Sequence, residues 1–184
     1  MRPFARLWVG DGRGPQLDES TIREFLATDY PRVVAGVALA CGSYPAAEDA
    51  VQEAVARAWE RSGRGERIES PKAWVTTVAM NLVRSNLRRV MAERRARGRL
   101  TDRSLPRPPL DGGARIDLQR ALAALPRRQR EATVLRYYLD LDVREVAAAL
   151  RMSEGTAKTT LHRARRALAR ALGDNEEAND RAGH

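Results

Sequence analysis

Apolar residues recur at helical spacing along most of the chain, and the pattern is clearest near its end. A short helix is predicted after residue 142, and four apolar residues share one side of it: Val143, Val146, Ala147 and Leu150. Residues 151–153 then interrupt the pattern. A longer helix follows, and its buried stripe consists of Ala157, Leu161, Ala164 and Leu168. The pattern therefore predicts two helices joined by a tight turn over residues 142–172.

The second helix of this pair carries a polar, basic face opposite its apolar stripe. Ser153 is placed to cap its first turn, and Glu154 favours the positive end of the helix dipole. At about 100° per residue, the outer face consists of Gly155, Thr159, His162, Arg163 and Arg166. Such side chains suit base edges and phosphates, and recognition helices contact bases mainly near their N-termini. The pattern favours a DNA-binding helix-turn-helix over the alternative, a solvated basic surface helix.

The first half of the chain is also predicted to be helical. A helix over residues 46–61 is expected to bury Ala47, Val51, Val55, Ala58 and Trp59. A longer helix over residues 73–97 is expected to turn Trp74, Val78, Leu82 and Val83 inward. Ser70 and Pro71 form an N-cap and first-turn pair in front of it. Because no convincing strand pattern occurs, the predicted fold class is all-α.

Two small helical domains joined by a flexible Pro/Gly-rich linker account for the order of these patterns. The predicted boundaries are a flexible N-terminal segment at 1–18, a helical domain at 19–97, the linker at 98–115, a helix-turn-helix domain at 116–172, and an acidic disordered tail at 173–184.

Composition narrows the functional classes. The 33 Lys and Arg residues exceed the 24 Asp and Glu residues and give a formal net charge of +9, which favours a polyanionic partner. Cys41 is the only cysteine, and His162 and His184 are the only histidines, which argues against disulfides and a histidine-based metal site. Neither a membrane span nor a convincing signal peptide is evident. We expect a cytoplasmic protein that is not an enzyme and has no cofactor, metal or small-molecule substrate.

Three motifs resemble one family. AEDAVQEAVARAW at 47–59 resembles the signature "AEDLVQE.F.R.W" of bacterial RNA polymerase sigma factors of the extracytoplasmic-function group. PKAWVTTVAMNLVRSNLRR at 71–89 resembles the element "F..WL..IA.N...D..R" that follows it. Residues 121–168 resemble the C-terminal domain of the group, "L..LP...R.v..L.y..g.s..EIA..lg.s.GTVKSRL.RAR..L". Together the motifs cover most of the chain in the order and spacing of the family.

The resemblance implies a promoter-specificity subunit of RNA polymerase that binds core enzyme, recognises promoter DNA and assists melting. Docking on the clamp helices of the polymerase β′ subunit would fall to Asp49, Gln52 and Glu53. Capture of the unpaired −10 strand would fall to Arg67, Lys72, Trp74, Asn81, Arg84, Asn86, Arg88 and Arg89. For Trp74, a place in the core is the favoured alternative to base stacking.

The C-terminal domain would read the −35 element as duplex DNA and contact the β flap. Base readout would fall to Lys158, Thr159, His162 and Arg163. Ser153, Glu154 and Thr156 would lie near the edge of the groove, and Arg144 and Arg166 would meet phosphates. The resemblance also implies an anti-sigma factor as a partner, and association with the nucleoid when the protein is bound to polymerase.

This sequence departs from the family pattern at several positions. The bulky aromatic of the first motif is Val55, and an aromatic and two basic positions of the second motif are Thr76, Thr77 and Met80. "TVKSRL" reads TAKTTL, which replaces an arginine by Thr160 and predicts an altered promoter preference. Two other functions stay open at this stage: a stand-alone helix-turn-helix regulator that binds operators without polymerase, and a helical scaffold whose basic faces bind acidic partners.

Overall fold

The computed structural model describes residues 19–66, 68, 70–96 and 113–182, and every regular element within these ranges is a helix. The chain forms two compact units, one made mostly of residues up to 108 and the other mostly of residues from 109 onward. The prediction of an all-α fold with two helical domains is thereby confirmed. The predicted N-terminal segment and most of the predicted linker lie outside the described residues.

The described part of the first unit contains four helices: α1 (Glu19–Thr28), α2 (Tyr30–Cys41), α3 (Tyr44–Gly63) and α4 (Pro71–Ala96). Helix α3 packs on both α2 and α4, and α2 also contacts α1 and α4. Val33, Val34 and Val37 of α2 are almost fully buried and form the centre of this core. Helix α2 ends at Cys41 and is capped by Gly42, whose φ of 83° is a left-handed conformation that favours glycine.

Serine caps fix the starts of α3 and α4. Ser43 Oγ accepts a hydrogen bond from the backbone N–H of Ala46 at 3.4 Å, and Ser70 Oγ accepts one from Ala73 at 3.3 Å. The predicted Ser70 cap is therefore confirmed. Each cap satisfies one of the backbone donors that a helix start leaves unpaired.

The prediction that Trp59 belongs to the buried stripe of α3 is wrong. Trp59 is 49% exposed, and the core-facing residues of α3 are Ala47, Ala50, Val51, Ala54, Ala58 and Ser62. Since Trp59 follows Ala58 directly, it lies about 100° around the helix from that buried residue. Its apolar character suggested burial, but its position on α3 places it beside the core.

The second unit contains α5 (Gly113–Ala124), α6 (Arg127–Thr133), a π-helical turn (Val134–Tyr138), most of α7 (Val143–Leu150) and α8 (Glu154–Ala182). Helices α5 and α6 pack on α8. The stripe predicted for α8 is confirmed at Ala157, Leu161 and Ala164, which are buried, whereas Leu168 is half-buried.

Helix α8 continues to Ala182, so its backbone includes most of the tail that was predicted to be disordered. The prediction gave most weight to the acidic charge of the tail. Alanine, glutamate and arginine in the same segment are good helix formers and favour continuation of the helix. Helix α5 likewise begins at Gly113, within the predicted linker.

Reciprocal hydrogen bonds hold the start of α7. The backbone N–H of Asp142 donates to the Glu145 carboxylate at 2.6 Å, and the N–H of Glu145 donates to Asp142 Oδ1 at 2.7 Å. This arrangement is a capping box, and the spacing of Asp142 and Glu145 is the sequence signal for it. At α8, Ser153 Oγ accepts from the N–H of Thr156 at 3.1 Å, which confirms the predicted cap.

One residue on each side of α7 adopts a left-handed backbone conformation that favours glycine. Asp140 has a φ of 58° and Arg151 a φ of 54°. Both occupy positions where the family pattern quoted above has glycine. Left-handed backbone costs an L-residue about 1–2 kcal/mol, although aspartate tolerates it better than arginine does. The turn of this helix-turn-helix is therefore strained at Arg151.

We expect Arg151→Gly to be more stable than Arg151→Ala by about 1 kcal/mol, because both variants lose the side chain but only glycine relieves the strained backbone. Urea unfolding followed by circular dichroism measures the difference. Asp140→Gly compared with Asp140→Ala serves as the matched pair at the other left-handed position. An Arg151→Ala variant as stable as Arg151→Gly would show that the backbone at this position is not strained.

Candidate functional site

The outer face of α8 presents the polar residues that its periodicity predicted. Thr159, His162, Arg163 and Arg166 are exposed and lie opposite the buried stripe of the helix; we call them the readout face. Gly155 is exposed on the same side, one turn before Thr159. Lys158 and Thr156 are exposed on the two flanks of this face.

Side chains on and beside the readout face differ in whether they already form ion pairs or hydrogen bonds within the protein. Within the described part of the chain, Lys158, His162 and Arg163 form no ion pair. By contrast, Thr159 Oγ1 donates to the Gly155 carbonyl at 3.0 Å. These three side chains therefore project to solvent with their hydrogen-bond donors available, as recognition of a polyanion requires.

The turn before α8 places the remaining predicted residues of this region. Arg144, Ser153 and Glu154 are all exposed. Ser153 Oγ lies 2.8 Å from Thr156 Oγ1 and also caps α8. Ser153 therefore has a structural role in positioning the helix, whether or not it also lies near DNA.

Helix α4 brings together only some of the residues predicted for the −10 strand. Asn81, Arg84 and Arg88 share one side of the helix, since they follow one another at three- and four-residue spacing. Asn81 is half-buried, Arg84 is only 9% exposed, and Arg88 is exposed. Arg89 is exposed beside them, and Asn86 is exposed on a different side of the helix.

At the start of α4, Trp74 and Lys72, which were also predicted to bind the −10 strand, do not form an exposed surface together. Trp74 is 3% exposed, which places it in the core, and the Arg61 guanidinium lies 5.9 Å from its ring centroid. Lys72 is partly buried, and its ammonium lies 3.6 Å from a carboxylate oxygen of Asp29. Arg67 lies outside the described residues. In this structure, stacking of a DNA base on Trp74 is blocked by its burial.

Helix α3 presents the three residues predicted to bind polymerase. Asp49, Gln52 and Glu53 are all exposed and share one side of the helix; we call them the docking face. Glu53 forms an ion pair at 2.7 Å with Arg57, whose side chain is about half exposed. An exposed pair of this kind contributes little to stability, so Glu53 can leave Arg57 and pair with a cation of a partner protein at little cost.

An apolar groove of about 480 Å³ adjoins the docking face, and the sequence analysis missed it. Its lining consists of Ile22, Leu26, Tyr30, Gln52, Val55, Ala56 and Trp59. Leu26 is 45% exposed, and Gln52 belongs both to the groove and to the docking face. The sequence could have indicated this groove through the position of Trp59 on α3, because Trp59 falls outside the arc of buried alanines and valines.

The described ranges contain neither a candidate membrane helix nor a candidate metal-binding cluster. No helix there is both long and apolar enough to cross a membrane. Within the same ranges, His, Cys, Asp and Glu side chains form no cluster of three or more that could hold a metal ion.

Two family models match this chain, and they fall on the two groups of helices. "Sigma-70 region 2" matches residues 26–93, which include the docking face on α3. "Sigma-70, region 4" matches residues 115–168, which include α7 and the readout face of α8.

Relatives with the same organisation support this assignment. The chain is 37% identical over 130 residues to the RNA polymerase sigma-E factor of Streptomyces coelicolor, which covers 64% of this chain and 67% of that protein. It is 33% identical over 133 residues to the ECF RNA polymerase sigma factor SigL of Mycobacterium tuberculosis, which covers 69% and 75%. It is 32% identical over 165 residues to the ECF RNA polymerase sigma factor SigF of Caulobacter vibrioides, which covers 87% of this chain and 90% of that protein.

Solved structures show the same architecture. The sigma factor RpoE of Bartonella quintana, in complex with the anti-sigma factor NepR, matches with a TM-score of 0.70 and 26% identity, over 85% of this chain and 98% of that one. CnrH in complex with the cytosolic domain of CnrY shares the fold, with a TM-score of 0.55 and 20% identity over 94% and 99% of the chains. This chain belongs to the ECF family of RNA polymerase sigma factors.

Proposed function

We propose that this sigma factor docks on core RNA polymerase through α3 and reads promoter DNA through α4 and α8. The observation that carries the proposal is the presence of two different exposed surfaces on one chain: the acidic docking face and the basic readout face. A DNA-binding regulator that works alone needs only the second. Residues 19–97 would form the docking and −10 domain, and residues 116–172 the −35 domain, joined by the linker at 98–115.

The docking face is suited to a basic protein surface. Asp49 and Glu53 supply carboxylates, and Gln52 lies between them and the apolar groove. We assign the clamp helices of β′ as the partner of this face, with the groove receiving an apolar side chain at its edge. Interfaces commonly combine such an apolar centre with a polar rim, and tryptophan is enriched among their energetically important residues.

Helix α4 would follow the unpaired −10 strand with Arg88 and Arg89, which are exposed, and with Asn81, which is half-buried. Arginines track phosphates, and an amide hydrogen-bonds to flipped bases. Since Trp74 is in the core, the stacking surface for those bases must be supplied by other groups. The proposed contribution of this helix is therefore mainly electrostatic.

Helix α8 would enter the major groove of the −35 element. Lys158, Thr159, His162 and Arg163 would lie toward the bases, and Arg144 and Arg166 near phosphates. The π-helical turn exposes Tyr137 and Tyr138, which are 53% and 38% exposed, and offers an aromatic surface for the β flap. Aromatic residues at such surfaces contribute apolar area together with a polar tip. The second unit would thus contact both DNA and polymerase.

The working cycle consists of core binding, recognition of the −35 and −10 elements, melting and release, without covalent chemistry by this chain. It would take place in the cytoplasm, on the nucleoid when polymerase carries the protein to DNA. An anti-sigma factor is proposed as the restraining partner, since the sigma factor RpoE, which has the same fold, is in complex with the anti-sigma factor NepR.

Transcription in vitro tests the proposal. Core polymerase plus this protein is expected to initiate at a small set of sequences selected from a randomised promoter library, and core enzyme alone is expected to select none. A pull-down with core polymerase is run in parallel. The absence of both promoter-dependent initiation and core binding would overturn the proposal. Tight binding to specific duplexes without polymerase would instead favour a stand-alone regulator.

A further inference from the structure

The hydroxyl group of Thr159, on the readout face, already donates a hydrogen bond within the helix. Its hydroxyl proton is engaged in a hydrogen bond to the Gly155 carbonyl at 3.0 Å, within the helix itself. A threonine hydroxyl carries a single proton. While that bond persists, Thr159 cannot donate a hydrogen bond to a base. The group that remains for an apolar contact is its γ-methyl.

Thr159 lies on the readout face, where its methyl group can contact a base in the major groove. Thr159 is exposed, with His162 and Arg163 on either side of it one turn later along the same face. The family pattern "TVKSRL" has serine at this position, so the present chain adds one methyl group there. Thymine is the base that presents a methyl group in the major groove, and threonine methyls are among its usual contacts.

We propose that the γ-methyl of Thr159 contacts the C5-methyl of a thymine in the −35 element and so selects thymine at that base pair. The inference rests on the proposed function, because it requires α8 to lie in the major groove. It extends that function by assigning a base preference to one side chain. Apolar contact accounts for the preference without any hydrogen bond from Thr159.

Thr160 provides a matched control within the same helix. Its hydroxyl also donates to a backbone carbonyl four residues earlier, that of Thr156, at 2.7 Å. Thr160 is half-buried, however, and lies about 100° around the helix from Thr159, toward the buried stripe. Thr160→Ser therefore removes the same atoms from the same local structure but away from the proposed DNA surface.

The test uses holoenzyme assembled from core polymerase and the full chain, bound to the promoter selected by the wild-type protein. Each thymine of the −35 duplex is replaced in turn by uracil, which removes only the C5-methyl. We expect one replacement to weaken wild-type binding about four-fold, the effect of one buried methyl group. Thr159→Ser should show a similar loss on the thymine promoter and no further loss on the uracil promoter.

Two more variants separate the methyl from the hydroxyl. Thr159→Val keeps a methyl and removes the hydroxyl, so it should retain sensitivity to uracil at the same base pair. Thr160→Ser should respond to uracil as the wild type does. If Thr159→Ser stays sensitive, or if Thr159→Val loses sensitivity, the methyl contact is overturned. A selected −35 element in which no uracil replacement matters also overturns it.

These outcomes separate the inference from the function on which it rests. A wild-type holoenzyme that selects no promoter overturns the proposed function, and with it the role of Thr159. A holoenzyme that selects promoters but shows no methyl effect dependent on Thr159 overturns only the base preference.

Discussion

Asp49→Arg is expected to reduce binding to core polymerase at least 10-fold while leaving the fold and the DNA-binding surface of α8 unchanged. Asp49 is exposed on α3, so the substitution removes no core contact. The new cation would face the basic surface that the docking face is proposed to bind. Loss of an interfacial attraction and its replacement by like-charge repulsion together cost several kcal/mol when the groups are close. Titration of fluorescently labelled core enzyme measures the affinity.

Glu24→Arg is the matched control for this substitution. Glu24 is exposed on α1, on the side of that helix opposite Ile22 and Leu26 of the groove. Both variants raise the net charge of the chain by the same amount, so non-specific electrostatic effects cancel in the comparison. Glu24→Arg should bind core enzyme as the wild type does. Equal affinity of the Asp49→Arg and wild-type proteins would remove Asp49 from the interface.

Helix α8 shows why much of the candidate site could be predicted from the sequence. A single periodicity fixes both the buried stripe at Ala157, Leu161 and Ala164 and the exposed side opposite it, because the helix geometry is regular. The Ser153 cap was predictable for the same reason, since it depends on local backbone donors. Local rules therefore sufficed where one helix alone determines which residues are exposed.

Trp59 and Lys72 show where local rules fail. The apolar character of Trp59 favours burial, but the width of the core-facing arc on α3 is set by how closely α2 and α4 pack against it. Lys72 was expected to face DNA, and the structure places its ammonium near Asp29 at the start of α2. Both positions depend on contacts between helices, and periodicity within one helix carries no information about them.

The backbone at Arg151 illustrates a different limit. The family pattern has glycine there, and an arginine would ordinarily suggest that the chain no longer turns in the same way. The structure retains the left-handed turn, with a φ of 54°. Apolar residues on both sides of the turn, Leu150 and Ala157, are fully buried, and their burial offsets a local cost of about 1–2 kcal/mol. The left-handed turn is therefore present at a cost in stability, which the Arg151→Gly variant would recover.

Arg163→Ala is expected to reduce discrimination between the selected −35 element and altered sequences by about 10-fold or more, with little change in core binding. Arg163 is exposed on the readout face, and its guanidinium forms no ion pair within the described residues. Arginine commonly makes two hydrogen bonds to guanine in the major groove, and each such pair contributes about 1–3 kcal/mol of discrimination. Competition binding of holoenzyme to matched and altered promoters measures it.

Arg165→Ala provides the comparison that separates base readout from phosphate attraction. Arg165 is exposed on α8 but lies about 160° around the helix from Arg163, beyond His162 and nearer the buried stripe, so it is not part of the readout face. The two substitutions remove the same charge, and any general electrostatic loss should be similar. A phosphate contact weakens binding to all sequences alike and lowers the salt dependence by about one unit of slope, whereas a base contact changes the ranking of sequences. If Arg163→Ala weakens binding to every promoter equally, Arg163 contacts phosphate, and base selection must fall to Lys158, Thr159 and His162.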